Sequence, residues 1–187
     1  MKKFIVCALL ALMTTALVAQ EQGRIRGGLS SGFAMPSGGF GFVYDLHVGY
    51  NLRDQMTVGA RLGQAVMLSV SDDGASASAN TNILGTFTAF LNPGGGGFAP
   101  FAGVGAGIYM LGAVDAGTEG GGFSADNLFG GLLTVGFEAG WFRLALEYNL
   151  LPSSTPSIAV GEVSDRQNSY FGITLGFVIG GGRWGGR

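Results

Sequence analysis

The sequence predicts an all-β chain, an eight-stranded antiparallel up-and-down transmembrane β-barrel. Three observations carry that expectation. The 187 residues include 36 Gly, and only 12% are charged while 47% are hydrophobic, against a usual ~25% charged and ~7% Gly. Such a chain needs somewhere other than water to put its apolar surface. After the first twenty residues, no stretch supplies the ~20 consecutive apolar residues of a spanning helix without many glycines. The other spanning solution is a closed barrel, whose strands alternate lipid-facing apolar with lumen-facing small or polar residues. That alternation recurs eight times.

Residues 1–20 precede it. Lys2 and Lys3 form a positive start, Phe4 to Met13 an apolar run of about ten residues, and Val18-Ala19-Gln20 a cleavage neighbourhood. The run is too short for a membrane anchor, so a cleaved signal peptide is expected over 1–20 and a single barrel domain over 21–187. The one Cys, Cys7, falls inside the signal, which excludes disulfide and thiol chemistry from the rest. Both lysines leave as well. Eight Arg and twelve Asp/Glu remain, a balance of about −4 that argues against nucleic acid, which needs a basic face.

The expected strands follow in order. The first, Arg24 to Phe33, has only Ile25, Leu29 and Phe33 on its apolar face. The second, Phe40 to Leu52, sets Phe42, Tyr44, Leu46, Val48 and Tyr50 against Val43, Asp45, His47, Gly49 and Asn51. The third sets Met56, Val58, Ala60 and Leu62 against Thr57, Gly59, Arg61 and Gly63. The fourth covers about Asn80 to Leu91, and the fifth Phe98 to Met110, with Ala102, Val104, Ala106 and Ile108 opposite Phe101, Gly103, Gly105, Gly107 and Tyr109. The sixth, Leu128 to Ala139, and the seventh, Phe142 to Leu150, flank a tight Gly140-Trp141 turn. The last, Ser169 to Ile179, sets Phe171, Ile173, Leu175 and Phe177 against Gly172, Thr174 and Gly176.

The connections are expected at Ala34–Gly39, Arg53-Asp54, Ser71–Ala79, Asn92–Gly97, Leu111–Asp126, Gly140-Trp141 and Leu151–Gln167. Odd-numbered ones are mostly longer, the asymmetry of bacterial outer-membrane barrels with short periplasmic turns and longer external loops. If Gly140-Trp141 closes the sixth and seventh strands, Glu138 faces Arg143 and Thr134 faces Glu147. A one-residue slip would turn whole faces over.

Alternation puts Arg26, Arg61 and Arg143 inside, with Asp45, Glu138, Glu147 and His47. An eight-stranded barrel has little internal water, so three charges of each sign should pair into a network that blocks the bore. Arg26, near a barrel end, is open to hydration instead. Tyr50, Trp141, Phe142, Tyr148 and Tyr170 are expected at the membrane interfaces. Gly103-Val-Gly-Ala-Gly107 lacks the spacing of a dinucleotide loop. With one His and no remaining Cys, no His/Cys metal cluster can form. The loop carboxylates Asp72, Asp73, Asp115, Glu119 and Asp126 match no calcium loop. His47 is the one residue suited to hydrolysis, but its own strand holds no Ser to act as nucleophile. No cofactor and no catalytic residue is assigned.

The signal, the roughly 165 residues after it, and the segments Pro100-Phe-Ala-Gly-Val-Gly-Ala-Gly-Ile-Tyr109, Phe142-Arg-Leu-Ala-Leu-Glu-Tyr148 and Tyr170-Phe-Gly-Ile-Thr-Leu-Gly-Phe177 resemble small OmpA-, OmpX- and OmpW-type outer-membrane proteins. The resemblance covers nearly all of residues 21–187 as a pattern of alternation. It implies a non-enzymatic, monomeric protein of the Gram-negative outer membrane, with lipid and lipopolysaccharide around it and the barrel assembly machinery as partner during biogenesis. Two departures qualify it. Many members end on an aromatic residue of the last strand, whereas here Val178–Arg187 follows Phe177; and no globular domain follows the barrel, so peptidoglycan anchoring is not implied. A narrow channel or binder for small, hydrophobic solutes is the alternative reading, and a lipid-modifying barrel enzyme using His47 a more remote one.

Overall fold

The computed structural model describes residues 22–36, 39–71, 74–91, 98–115, 122–153 and 168–181. Residues 1–20 and the carboxylates Asp72, Asp73 and Glu119 lie outside them. The eight strands are β1 (Ile25–Pro36), β2 (Gly39–Arg53), β3 (Met56–Ser71), β4 (Gly74–Phe90), β5 (Ala99–Asp115), β6 (Gly122–Ala139), β7 (Phe142–Leu150) and β8 (Tyr170–Gly180). Each pairs antiparallel with its sequence neighbours, and β8 returns to β1, closing the barrel. Where the ladders run all the way round, closure removes the sheet edges, and backbone hydrogen-bonding groups there are satisfied without water.

The register shows why residues of one kind share a face. Leu29 is opposite Leu46, Leu46 opposite Leu62, Leu62 opposite Ile83, Ile83 opposite Ile108, and Ile108 opposite Phe129. All six point outward and are exposed. Continuing the same registers through β7 and β8 returns to β1 about ten residues further along, the stagger that tilts the strands of a small barrel by ~35–45°.

Burial is inverted relative to a water-soluble protein. Arg26, Asp45, Arg61, Glu138, Glu147, Asn80, Asn82 and Asn149 are buried, while large apolar residues on every strand are exposed. Between the strand ends, no described outward position carries a charge. A mantle of this extent, uncharged and largely apolar, suits hydrocarbon rather than water. Of its polar residues, Tyr44 and Gln64, opposite one another on β2 and β3, satisfy each other through the Tyr44 hydroxyl.

Three expected loops are largely strand instead. β1 runs to Pro36 and β2 begins at Gly39, taking up most of Ala34–Gly39. The pairing of β3 with β4 continues to Ser71 opposite Gly74, so most of Ser71–Ala79 is ladder. Likewise β5 and β6 pair out to Asp115 opposite Gly122, across most of Leu111–Asp126. Ser, Ala and Gly repeats look like loop composition, yet a continuing ladder tolerates them because it is held by backbone bonds. Among the described residues, the ladders joining β3 to β6 thus run further than those joining β6 to β8. Residues Gly122–Gly130 of β6 pair with β5 but have no β7 partner, since that ladder starts at Gly131 opposite Leu150.

Candidate functional site: the barrel lumen

The interior side chains fall into layers. At the end where β1 begins and β8 finishes, Asn51 on β2 accepts a hydrogen bond from Thr57 Oγ1 at 2.7 Å and donates to the Gly181 carbonyl at 2.8 Å. Next comes a cation layer. Arg26 Nη2 and Arg143 Nη1 both donate to Glu138 Oε1, at 2.5 and 2.7 Å. The Arg26 guanidinium lies 5.0 Å from the Phe90 ring centre, and that of Arg143 lies 3.9 Å from the Phe101 ring centre. Two cations thus share one carboxylate, and the aromatic faces offset the surplus positive charge.

Deeper in, Arg61 Nη2 donates to Glu147 Oε2 at 2.6 Å and to Asp45 Oδ2 at 3.3 Å. Thr174 Oγ1 donates to Glu147 Oε1 at 3.3 Å. His47 sits opposite Arg61 in the β2–β3 ladder, with its Nδ1 3.4 Å from Asp45 Oδ1. The ring has room only because its β1 partner is Gly28, where a Cβ would lie 2.4 Å from the imidazole. Beyond this layer the lumen turns apolar and aromatic. Val43, Met67, Leu84, Tyr109, Leu132 and Tyr170 pack together there. Tyr109 fits over Gly130 and donates to Asn149 Oδ1 at 2.9 Å.

All seven charged or titratable residues expected inside are found inside, joined as two clusters rather than one chain. One is Arg26–Glu138–Arg143; the other is Glu147–Arg61–Asp45–His47. Arg26 is 4% exposed and paired, so it is not a hydrated end residue. Among the aromatics expected at the interfaces, Tyr50, Trp141 and Tyr148 are exposed and Phe142 is half-buried. Tyr170 is not among them. It is 1% exposed and packs in the interior, because its parity on β8 matches Gly172, Thr174 and Gly176 rather than Phe171. Tyr109 and Tyr170 together form an aromatic plug that sequence analysis does not read as a unit, although parity points both inward and Gly130 gives Tyr109 its room.

Asp115 ends β5 and Asp126 lies on β6. Among the described residues, no group of three or more His, Cys, Asp or Glu comes together as a metal site. The His47 ring has Asp45 on one nitrogen, and among the described residues no serine hydroxyl is held at Nε2 where a nucleophile would stand.

No protein-family model matches the chain, and no curated protein matches it. Solved structures do. Neisserial surface protein A superposes with a TM-score of 0.55 at 14% identity, over 83% of this chain and 95% of that one. The N-terminal β-barrel domain of Pseudomonas aeruginosa OprF gives 0.46 at 12% identity, over 86% and 100%. Ail, the attachment invasion locus protein of Yersinia pestis, gives 0.46 at 11%, over 84% and 99%. At these identities the first likeness speaks for the fold alone, and the chain has the closed eight-stranded antiparallel barrel fold that this small surface protein has.

Proposed function

We propose that this protein is an integral barrel of the Gram-negative outer membrane, non-enzymatic, with a plugged lumen and a structural or surface-interaction role. The observation that carries the reading is the inverted burial: an uncharged, largely apolar mantle around a polar interior closed by ion pairs and an aromatic plug. A mantle of that kind is stable in lipid, and a filled bore leaves the strand extensions of β3 to β6 as the part that meets other molecules. On this reading, residues 1–20 direct export and are removed. Lipid and lipopolysaccharide surround the barrel, the assembly machinery inserts it, and it works as a monomer without a cofactor.

The experiment is fractionation followed by planar-bilayer recording. The protein should separate with outer membranes, begin after about residue 20, migrate faster unheated than heated in detergent gels, and show no steady conductance. Recovery in the soluble periplasmic fraction would overturn the membrane assignment.

A narrow channel for small solutes is the second reading. It draws on a cavity of about 50 Å³ within the lumen, lined by Arg26, His47, Arg61, Thr134 and Glu147 among others. The Tyr109–Tyr170 plug above that cavity weighs against it, and single-channel steps in the same recordings would reverse the order of the two.

A further inference from the structure

We infer that the outer wall of β1 to β4 seats one outer-leaflet lipid whose acyl chains carry a hydroxyl or acyloxy group just below their linkages. The inference rests on the membrane reading proposed above and names the lipid chemistry this barrel holds. Between the strand ends, and apart from Tyr50 and Tyr148, the outward-facing polar side chains among the described residues are Ser31, Tyr44, Gln64, Thr81 and Asn127. All five fall on one ladder row. Ser31 is opposite Tyr44, Tyr44 opposite Gln64, Gln64 opposite Thr81, and Thr81 opposite Met110, which is opposite Asn127. On the β8 side the row continues as Leu175, so the polar stripe ends at Ser31.

The shear of the barrel slants this stripe across the outer half of the membrane. Strands tilted by ~35–45° rise about 2.6 Å per residue along the membrane normal, and a ladder row gains about 3 Å at each strand. An apolar band ~25 Å tall then runs on β2 from Tyr50 to Phe40. On that scale Asn127 stands at the outer boundary, Thr81 about 4 Å inside it, Gln64 about 7 Å and Tyr44 about 10 Å, with Ser31 deeper still. Water meets Asn127 but does not reach the deeper residues. Tyr44 Oη donates to Gln64 Oε1, which leaves the two N–H donors of the Gln64 amide without an acceptor among the described residues. An amide left so in hydrocarbon is costly.

Lipid chains offer acceptors only where they carry oxygen. A plain two-chain lipid has its carbonyls at one depth, near the boundary. A hydroxylated or acyloxy chain has oxygen at two depths, the linkage carbonyl and the substituent just below it. Thr81 stands at linkage depth, and the Gln64 amide stands about 3 Å deeper, where the substituent lies. Tyr44 holds that amide by its oxygen, so the N–H side is the one presented to the lipid. A second copy of this chain fits the stripe less well. Two barrels related by a two-fold axis along the membrane normal face each other with stripes that slant in opposite senses and cross at one point. A flexible acyl chain follows the slant.

The test uses the full barrel folded in micelles. The Gln64 side-chain amide resonance, identified by its absence from Gln64→Leu, should shift as purified lipid A is added and saturate at one lipid per barrel. Phosphatidylglycerol, anionic but without chain hydroxyls, should leave it in place. By native mass spectrometry, Gln64→Leu should lower lipid A retention about fivefold, as the loss of one net hydrogen bond does. Tyr148→Phe, outward but off the row, should leave retention unchanged. Gln64→Leu turns an apolar side chain toward lipid, so the barrel should still fold, and its heat-modifiable migration checks that. Equal shifts with both lipids, or equal retention by wild type and Gln64→Leu, in a barrel that separates with outer membranes would overturn the site and leave the membrane reading standing. Recovery of the barrel from the soluble fraction would overturn both. A dimer that Gln64→Leu dissociates would assign the stripe to a second copy and overturn the lipid site equally.

Discussion

Glu138 shows how one residue holds a layer. It is 4% exposed and its Oε1 receives both Arg26 and Arg143, so removing its charge leaves two buried cations with no carboxylate of their own. Breaking a buried pair from one side costs about 3–5 kcal/mol. Glu138→Gln should therefore lower barrel stability by about that amount in urea titrations in micelles. Arg143→Met should cost less, because Arg26 still holds the carboxylate, and the double variant should recover part of the Glu138→Gln loss. Strictly additive losses would mean that the two side chains do not interact. Gly28 offers a steric counterpart. A Cβ there would meet the His47 ring at 2.4 Å and the Phe177 carbonyl at 2.8 Å. The second contact is backbone and cannot move aside. Gly28→Ala should therefore destabilise the barrel by about 1–3 kcal/mol, as overpacking does, and the His47 ring proton resonances should shift.

At the scale of elements, the β6–β7 hairpin is the sharpest case. Gly140 takes a positive φ of 61° in the two-residue turn, and the register runs from Ala139 opposite Phe142 to Gly131 opposite Leu150. Directly opposed residues have Cβ atoms about 4.5–5.5 Å apart, and diagonal ones about 7–8 Å. No cysteine follows position 7. Val135→Cys with Leu146→Cys should thus cross-link with a short bifunctional reagent in folded protein, and Val135→Cys with Leu144→Cys should do so far more slowly. The reverse ranking would shift the register. Among the described residues the β6 segment Gly122–Gly130 pairs with β5 alone, and a ladder with one neighbour leaves backbone groups unpaired. Hydrogen exchange in micelles should be faster along Gly122–Gly130 than along Gly131–Ala139; equal protection would mean that another segment covers that edge.

For the whole molecule, the outer surface decides the solvent. Leu62 and Ile83 are neighbours in the β3–β4 ladder, both at least half exposed and both within the apolar row that runs from Leu29 to Phe129. An arginine on the lipid face of a barrel costs ~2–4 kcal/mol near the midplane and little near the interfaces. Ile83→Arg should therefore destabilise the bilayer-inserted barrel by about 2–4 kcal/mol. Gln22→Arg, just ahead of β1 at the end where that strand begins, should have no measurable effect. Equal effects at the two positions, measured by unfolding from lipid vesicles, would contradict the placement of the membrane belt.

The sequence by itself determined the strand count, the strand parity and the β6–β7 register. Each of these depends on a period of two and a short turn, both local properties of the chain. Phe142 to Leu150 reads as a strand with Arg143 and Glu147 on one side whatever else the protein does, and the structure keeps that face inside. What needed the tertiary structure was everything set by the stagger of the closed barrel. Parity says that Arg26 and Glu138 both face inward, but they are 112 residues apart and on non-adjacent strands. Only the shear of the whole ring brings them to one level. The same holds for Arg61 and Glu147, whose 2.6 Å contact crosses the lumen. It holds also for Tyr109 and Tyr170, which meet in one interior cluster. The lengths of β3 to β6 were hidden for a different reason. Ser, Ala and Gly carry no hydrophobic alternation to read, and there the ladder continues on backbone hydrogen bonds that each strand obtains only from its neighbours.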